Sequence, residues 1–402
     1  MKKVEVQTIL ENTLNKIKIL DIHTHLFPPQ HENYYLSGLV ETLNYHYLIA
    51  ELFVTTNIDI HKFKSLDKLQ KAEIVWNELF NKRTPISEAC KGVLTILESL
   101  SIPIKDKNFL QINELYAGLK LTDKEIFNKS NIDSIVMTNN PFDEDEWSIF
   151  SSEAWDKKRY RSSLRLDSLM LEFNKSISIA QNFSNETSNK FIQIIDYLEL
   201  CFQKSQPIYA AISLDTEKFR EILNSDLWKE ILKWLLKKNL PLSLMLGVKR
   251  GVNKNFDEAG DGIGNIDLKD LSKLCNNYPK NKFLVTCLSL NDQHELTVLG
   301  RKHQNLKIFG FWWFMNQPSI IEPVLKMRMD LLGLSFIPQH SDARITDQLI
   351  YKWSHFKEIL SSVMIENYEH LIKKNYPLSK EIINRDLNNL LINNAKTFLG
   401  IK

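Results

Sequence analysis

Two histidines separated by one residue are the clearest chemical signal in this sequence. They occur in Asp-Ile-His-Thr-His (21–25), at the end of an apolar run with strand character. Side chains alternate along a strand, so Asp21, His23 and His25 share one face, and two imidazoles at this spacing can bind one cation. Leu-Phe-Pro-Pro (26–29) then turns the chain where a loop should begin. The pattern predicts two metal ligands, against the alternative of polar strand-end residues packed under a loop.

A carboxylate near the other end of the chain can complete this site. Asp342 lies in Gln-His-Ser-Asp-Ala-Arg (339–344), after the last strand-like run. Two histidines and one carboxylate leave open positions on a metal for water or substrate. No histidine occurs between His61 and His294, which disfavours a two-metal hydrolytic centre. We therefore expect one divalent metal at His23, His25 and Asp342; zinc is the first candidate because it accepts nitrogen ligands, with manganese or another metal as alternatives.

The elements that must position these residues read as repeated strand–helix units. Short β-rich runs, each followed by a longer helical pattern, are typical of a parallel sheet. Eight such units favour a closed (β/α)₈ TIM barrel, whose active site lies at the carboxyl ends of the strands. The predicted strands are Ile17–His23, Ile132–Thr138, Arg159–Arg165, Pro207–Leu214, Leu240–Leu246, Lys282–Leu288, Leu306–Trp312 and Leu334–His340.

The long interval between the first two predicted strands reads as helical. Its helical patterns are Ser65–Phe80, Ser87–Ser99 and Thr122–Lys129. We expect residues 1–25 to begin the barrel, residues 26–131 to form a helical insertion that caps the barrel mouth, and residues 132–402 to complete the barrel.

Composition excludes several classes of function. The 402 residues are 43% hydrophobic and 25% charged, and 51 Lys plus Arg nearly balance 49 Asp plus Glu. Such a balance gives no basic field for nucleic acid. No stretch approaches the roughly 20 apolar residues of a membrane span, and the charged N-terminus does not resemble a signal peptide. We expect a cytoplasmic enzyme with a small-molecule partner and no nucleic acid or membrane partner, and the sequence leaves open whether it forms a homo-oligomer.

Taken in order, the motifs resemble those of the uronate isomerases (glucuronate isomerases), a branch of the amidohydrolase superfamily. The resemblance extends over nearly the whole chain, and the Trp312-Trp313 pair ahead of Asp342 is its most specific part. The matching stretches are 21–29, His46-Tyr47, 136–143, Leu-Arg-Leu-Asp (164–167), Phe-Gly-Phe-Trp-Trp-Phe-Met-Asn-Gln (309–317), Ser-Asp-Ala-Arg (341–344) and 393–399.

The resemblance implies carbohydrate metabolism: a metal-dependent isomerase that interconverts an aldose uronate and its ketose form. It implies metal ligands at His23, His25 and Asp342, and substrate contacts at Tyr47, Arg165, Trp313 and Arg344. Arginine suits such a small anionic substrate because its planar fork binds carboxylates. Isomerisation moves a proton between adjacent carbons, for which Asp342 or Tyr47 could serve. Trp312 is a further candidate for substrate binding, although strand alternation predicts that one of the two tryptophan rings belongs to the core.

Departures from the family pattern leave the reaction open. Met245 stands where the family has a histidine, and Lys-Trp-Ser (352–354) replaces an Arg-His-Glu run. These changes lie on the sugar-binding side of the expected site. They predict weak activity on common uronates or a related hydroxy acid as substrate. The alternatives are a metal-dependent hydrolase or decarboxylase, and a barrel that has lost catalysis and binds a small acid.

Overall fold

The computed structural model describes residues 3–152, 155–183 and 189–401. Its strands are β1 Ile19–Thr24, β2 Ile132–Asn139, β3 Tyr160–Arg165, β4 Ala210–Leu214, β5 Leu242–Leu246, β6 Val248–Lys249, β7 Gly262–Ile263, β8 Phe283–Cys287 and β9 Leu306–Ile308. Within the described ranges, seven of them form one parallel sheet in the order β1-β2-β3-β4-β5-β8-β9. The other two, β6 and β7, pair antiparallel as a hairpin after β5. The fold is therefore α/β, with a curled parallel sheet of the TIM-barrel kind.

The eighth predicted strand, Leu334–His340, is not an extended strand. It makes a single parallel bridge, between Ile337 and Phe309, and Ile337 O accepts a hydrogen bond from Gly310 N at 2.9 Å. The strand predicted to run to Trp312 likewise ends at Ile308. The cause is local: Gly310 has φ 59°, which breaks the extended ladder at this point.

The same segment approaches β1 on its other side. Asp342 N donates to His23 O at 3.1 Å, and His25 N donates to Ala343 O at 2.8 Å. Asp342 has φ 52°, a left-handed conformation that few non-glycine residues adopt. These two bonds bring the carboxyl end of β1 and the Asp342 turn together, which positions the candidate metal ligands.

Helices fill the interval between β1 and β2 and cover the sheet. The helix before β1 and those between β1 and β2 are α1 Lys3–Leu14, α2 Leu39–Leu43, α3 His46–Thr55, α4 Ile60–Lys64, α5 Lys68–Trp76, α6 Glu88–Ser99, α7 Phe109–Gly118 and α8 Asp123–Ser130. The later helices are α9 Glu144–Ser151, α10 Ser168–Leu171, α11 Phe173–Gln181, α12 Lys190–Ser205, α13 Thr216–Asn224, α14 Asp226–Lys237, α15 Leu268–Asn277, α16 Gln293–Lys302, α17 Pro318–Leu332, α18 Gln348–Lys373, α19 Lys380–Asn388 and α20 Asn394–Leu399.

Capping residues set many of the helix ends. Thr122 accepts from Glu125 N while the Glu125 side chain accepts from Thr122 N, which forms a capping box at the start of α8. The segment after β4 forms two helices, because Ser225 has extended backbone angles and separates α13 from α14. In the described part of the chain, no helix has both the length and the apolar character required to cross a bilayer.

Candidate active site

The three candidate ligands converge at the carboxyl end of β1. His23 Nε2 lies 3.5 Å from Asp342 Oδ1, and His25 Nε2 lies 3.4 Å from the same oxygen. One donor atom from each residue falls within 4.8 Å of the others, a spacing that could hold one metal ion. We call His23, His25 and Asp342 the triad.

The tautomer of His23 leaves a lone pair facing Asp342. The Tyr209 hydroxyl donates its proton to Ile22 O at 2.7 Å, so at 3.2 Å it can only accept from His23 Nδ1. The Nδ1 of His23 therefore carries the proton, and its Nε2 has a free lone pair. Among the described residues, Asp342 Oδ1 is a buried oxygen without a hydrogen-bond donor. Two electron-rich atoms that face each other in a buried site fit a bound cation.

Electrostatics favour a neutral His25 and an ionised Asp342. Burial and then the positive charge of Arg344 lower the pKa of His25 to about 3, so this imidazole is neutral at pH 7. Burial raises the pKa of Asp342, but a proton on His23 or His25 that faces the carboxylate outweighs that effect and holds the pKa well below its usual range; a bound cation would take the place of that proton. Neutral imidazoles and an ionised carboxylate are the forms that bind metals.

Asp21 supports the triad without joining it. Its fully buried carboxylate accepts from Ser341 N at 3.0 Å and from Trp353 Nε1 at 2.8 Å. These bonds tie β1 to the segment before Asp342 and to α18. Asp21 thus holds the two halves of the triad in register.

His340 is a buried imidazole next to the triad that the sequence analysis did not single out. Its ring lies 5.3 Å from that of His23, and neither ring nitrogen has a hydrogen-bond partner in the described structure. Gly310 packs so closely that a Cβ there would meet His340 Nδ1 at 1.8 Å. Gln-His-Ser-Asp, which contains both His340 and Asp342, was the signal that could have identified it.

A small inner cavity opens on the triad. Its volume is about 40 Å³, room for only a few water molecules. The lining consists of His23, His25, His46, Thr138, Arg165, Asp167, Ala211, Ser213, Met245, Arg250, Trp312, Trp313, Asp342 and Arg344. Every predicted site residue except Tyr47 is therefore in this cavity. His46 and Arg250 are additions that the sequence analysis missed, although Arg250 follows the end of β5 by only four residues.

Both predicted arginines line the inner cavity and also a wider outer one. Arg165 Nε lies 3.2 Å from Asp167 Oδ2, so part of its charge is balanced within the site. The outer cavity has a volume of about 430 Å³ and shares His25, His46, Thr138, Arg165 and Arg344 with the inner one. A sugar acid is too large for the inner cavity as it stands. Its binding requires extension into the outer cavity or movement of the lining.

The two tryptophans do not alternate as predicted. Trp312 and Trp313 are both nearly buried, and both line the inner cavity. Both rings belong to a buried hydrophobic cluster, and they are not divided between core and cavity because β9 has already ended and Trp313 has φ 48°, so strand alternation no longer applies. The Trp313 ring packs edge-on against His46 at 5.9 Å.

Tyr47 lies beside the inner cavity rather than on it. Its ring is 4.7 Å from that of His46, and it lines an adjacent cavity of about 250 Å³ that also contains Glu88 and Trp313. Burial, followed by the nearby Tyr45, raises the pKa of Tyr47 well above its usual value. This phenol therefore keeps its proton. His46, whose pKa burial lowers to about 3, is the neutral group between Tyr47 and the triad side of the site.

Comparisons with known proteins identify the family. The chain is similar over its full length to the crystal structure of a uronate isomerase from Bacillus halodurans C-125, with 36% sequence identity, 98% of that chain covered and a TM-score of 0.93. A uronate isomerase from Thermotoga maritima (14% identity, 98% of this chain and 97% of that one, TM-score 0.80) shares the fold. So does a glucuronate isomerase from Caulobacter crescentus (13% identity, 100% and 95%, TM-score 0.77).

Two other comparisons found nothing: no protein-family model and no curated protein matches the sequence. Full-length similarity at 36% identity, together with the triad at the end of β1, nevertheless identifies the family. The chain belongs to the uronate isomerase family.

Proposed function

We propose that this protein isomerises a sugar acid, or a related small hydroxy acid, between its aldose and ketose forms. One observation carries the proposal: two arginines line the same cavity as a triad whose lone pairs converge. A uronate needs a cation for its carboxylate and a second positive centre for the oxygens of the reacting carbons. The inner cavity offers residues suited to both.

The triad would hold one divalent metal ion, with zinc as the first candidate. Two imidazoles and one carboxylate suit zinc better than the oxygen-preferring magnesium, and manganese remains an alternative. When bound, such an ion stabilises negative charge that develops on a substrate oxygen. The hydrogen bond from His23 Nδ1 to Tyr209 would orient the ring and keep its Nε2 directed at the ion.

Arg165 and Arg344 would clamp the carboxylate of the substrate. Each lines both the inner and the outer cavity, so a ligand that extends between the two would pass both guanidinium groups. Asp167 would hold Arg165 in place through its 3.2 Å ion pair. Trp312 and Trp313 would provide apolar walls that exclude water from the reacting carbons.

The reaction needs one group to take a proton from carbon 2 and return it to carbon 1. Removal of the carbon-2 proton leaves an electron pair that forms the carbon 1–carbon 2 double bond, and the carbonyl oxygen takes up a proton to give an enediol. Loss of the proton on oxygen 2 then allows carbon 1 to be protonated. Asp342, a carboxylate on the cavity wall, is our first candidate for the carbon proton. Tyr47 is the second candidate, acting through His46 as a proton donor.

We further propose that residues 334–343 complete an eight-stranded (β/α)₈ barrel as its last, irregular member. Residues 26–131 would be a helical insertion that caps its mouth. Two observations support this. Hydrogen bonds from Asp342 N to His23 O and from His25 N to Ala343 O join this segment to the end of β1. Tyr34, Glu41 and Tyr45, which lie between β1 and β2, line the outer cavity. Barrel residues would then be 1–25 and 132–402.

The experiment is an isomerisation assay of zinc-loaded protein in deuterium oxide, with glucuronate and galacturonate as substrates. We expect ketose formation, with deuterium entering at carbon 1 or 2, and a thermal shift with sugar acids that exceeds the shift with neutral sugars. Arg165→Met and Arg344→Met should lose about 10- to 100-fold in kcat/KM, the effect of one charged hydrogen bond. Arg301→Met, an exposed arginine at the end of α16, is the matched control. Neutral sugars that stabilise as well as their acids would contradict the proposal.

A further inference from the structure

The β6–β7 hairpin (residues 248–263) places a third arginine at the inner cavity. The hairpin follows β5 directly, and Gly247 allows it to fold back because its φ is 92° and its carbonyl accepts from Gly264 N at 2.8 Å. Arg250 comes two residues after the hairpin begins and lines the inner cavity with Arg165 and Arg344. It does not line the outer cavity. Arg250 can therefore contact only the part of a ligand that enters the inner cavity.

The hairpin is anchored on both sides of the site. At one end it continues β5, and at its tip the Phe256 ring stacks on Phe53 of α3 at 5.2 Å. Asp257 also pairs with Lys64 of α4 at 2.8 Å. The hairpin thus reaches from the sheet to the helices that follow β1, which fixes the backbone that carries Arg250.

The position of β5 in the sheet sets Arg250 apart from the triad. Three elements lie between β1 and β5 in either direction around the sheet. In one direction they are β2, β3 and β4; in the other they are β8, β9 and the segment 334–343. Arg250 therefore belongs to the side of the site opposite the triad. On that side Met245, at the end of β5, supplies no hydrogen bond of ordinary strength, so a ligand group that arrives there needs another partner.

The guanidinium of Arg250 is paired but remains partly exposed. Its guanidinium pairs with Asp261 Oδ2 across the hairpin, and its side chain is 46% exposed. Asp261 Oδ1 accepts from Gly251 N at 2.8 Å, so this carboxylate also holds the turn. The Asp261 side chain is only 8% exposed, so the pair is kept and it is the exposed part of the Arg250 guanidinium that a ligand carboxylate can share.

We propose that Arg250 determines specificity by binding the anionic end of the ligand on the side of the inner cavity opposite the triad. This inference rests on the proposed function, namely that the ligand is a sugar acid. With the reacting oxygens at the triad and the lining of the inner cavity moved apart to admit the ligand, the carboxylate of a sugar acid would be shared by Arg250, Arg165 and Arg344. A neutral sugar would gain nothing from Arg250.

The test compares glucuronate with glucose by isothermal titration calorimetry on zinc-loaded protein. Arg250→Gln should weaken glucuronate binding about 10-fold and leave glucose unchanged, the loss of one partly exposed charge-assisted hydrogen bond. Arg250→Lys should recover part of the loss. In turnover, Arg250→Gln should raise KM by a similar factor and change kcat by less than about threefold. Arg301→Gln controls for net charge.

Asp261→Asn separates ligand binding from a purely structural role. Asparagine can still accept from Gly251 N, but it leaves Arg250 without its carboxylate. If Arg250 binds the ligand, glucuronate affinity in this variant should be equal to the wild-type value or higher; a loss equal to that of Arg250→Gln would overturn the inference. It is also overturned if Arg250→Gln keeps the wild-type preference for glucuronate. If the wild type itself shows no preference for the acid, the proposed function fails and this inference fails with it.

Discussion

The triad side and the hairpin side of the inner cavity are built in different ways. On the triad side, Asp342 and His23 are nearly buried, and the fully buried Asp21 carboxylate fixes the backbone beside them. On the hairpin side, Arg250 is half exposed and lies in the turn that follows the two-residue strand β6. The contrast indicates that the position of the metal is set by the barrel core, whereas substrate selection rests on a loop that can change without disturbing that core.

One departure from the family pattern belongs to the triad side. The stretch Lys-Trp-Ser (352–354) was interpreted as a change in the sugar-binding part of the site. In the structure Trp353 Nε1 donates to Asp21 Oδ2 at 2.8 Å, and Lys352 Nζ lies 5.8 Å from the centre of the Tyr47 ring. Trp353 therefore holds Asp21 on the triad side of the site. Of these departures from the family pattern, only Met245 lies on the wall opposite the triad.

The largest expected effect is on the triad itself. His23→Ala/His25→Ala should reduce bound zinc from about one ion per chain to a trace, because a lone carboxylate holds zinc weakly. Isomerase activity should fall by at least about 1,000-fold, since the metal contributes several kcal/mol to oxyanion stabilisation. Elemental analysis and the deuterium assay measure the two effects.

The matched control is His61→Ala/His294→Ala, which removes two exposed histidines. It should retain its metal and its activity. Unchanged zinc content in the triad variant would show that the ion is held elsewhere.

The second effect tests how rigid the core behind the triad is. Gly310→Ala should lower the free energy of unfolding by about 2–4 kcal/mol, because the new methyl would overlap His340 in addition to the strain of a positive φ. Gly333→Ala has nearly the same φ, 60°, and a ψ of −120°, but no atom within 4 Å of the added Cβ, so it should lose only the cost of backbone strain, about 1–2 kcal/mol. Urea denaturation measures both variants. Equal losses would mean that the packing of His340 adds nothing.

A smaller effect concerns the outer cavity, where Glu146 faces the ligand path. Burial, followed by the nearby Asp143, raises the pKa of Glu146 to about 7 despite the opposing effects of the Asn140 N–H and Arg165. The carboxyl is therefore neutral below pH 7 and negative above it, where it would repel a sugar acid. Raising the pH from 6 to 8 should weaken glucuronate binding about two- to fivefold, the size expected for a partly screened charge.

Glu146→Gln should abolish this dependence, whereas Glu144→Gln, an exposed neighbour on α9, should keep it. Calorimetric titrations at pH 6, 7 and 8 provide the comparison. A wild-type pH dependence in Glu146→Gln would assign it to another group.

The sequence predicted the fold and the triad better than it predicted the opposite wall. Strand–helix alternation identified the seven strands of the sheet, because burial on both faces demands apolar runs of strand length. The eighth was overestimated, since a left-handed Gly310 and Asp342 break the ladder without changing the apolar pattern. His46 and His340 stand next to residues that were assigned to the site, but neither was itself assigned, and Arg250 was missed because its place at the cavity depends on how the β6–β7 hairpin folds back.

The smallest expected effect is from restoring a histidine on the wall opposite the triad. Met245 is 2% exposed, and in the register of the sheet it lies between Ser213 and Thr286. Thr286 Oγ1 has no hydrogen-bond partner within the described residues, so an imidazole introduced here could be held by that hydroxyl. A general acid or base contributes about 100- to 10,000-fold only when it reaches the proton it transfers. With Arg250 serving this side of the cavity as a fixed cation, Met245→His should change kcat by less than about threefold.

Met245→Leu is the size control for this substitution and should behave like the wild type, because it keeps an apolar side chain of similar volume. Steady-state kinetics on glucuronate with both variants decide the question. A 100-fold rise in kcat for Met245→His alone would show that this wall lacks only a proton carrier. It would also show that Arg250 does not substitute for a histidine at position 245. A rise in KM without a change in kcat would instead indicate that the ring obstructs the anionic end of the ligand, which places that end beside Arg250.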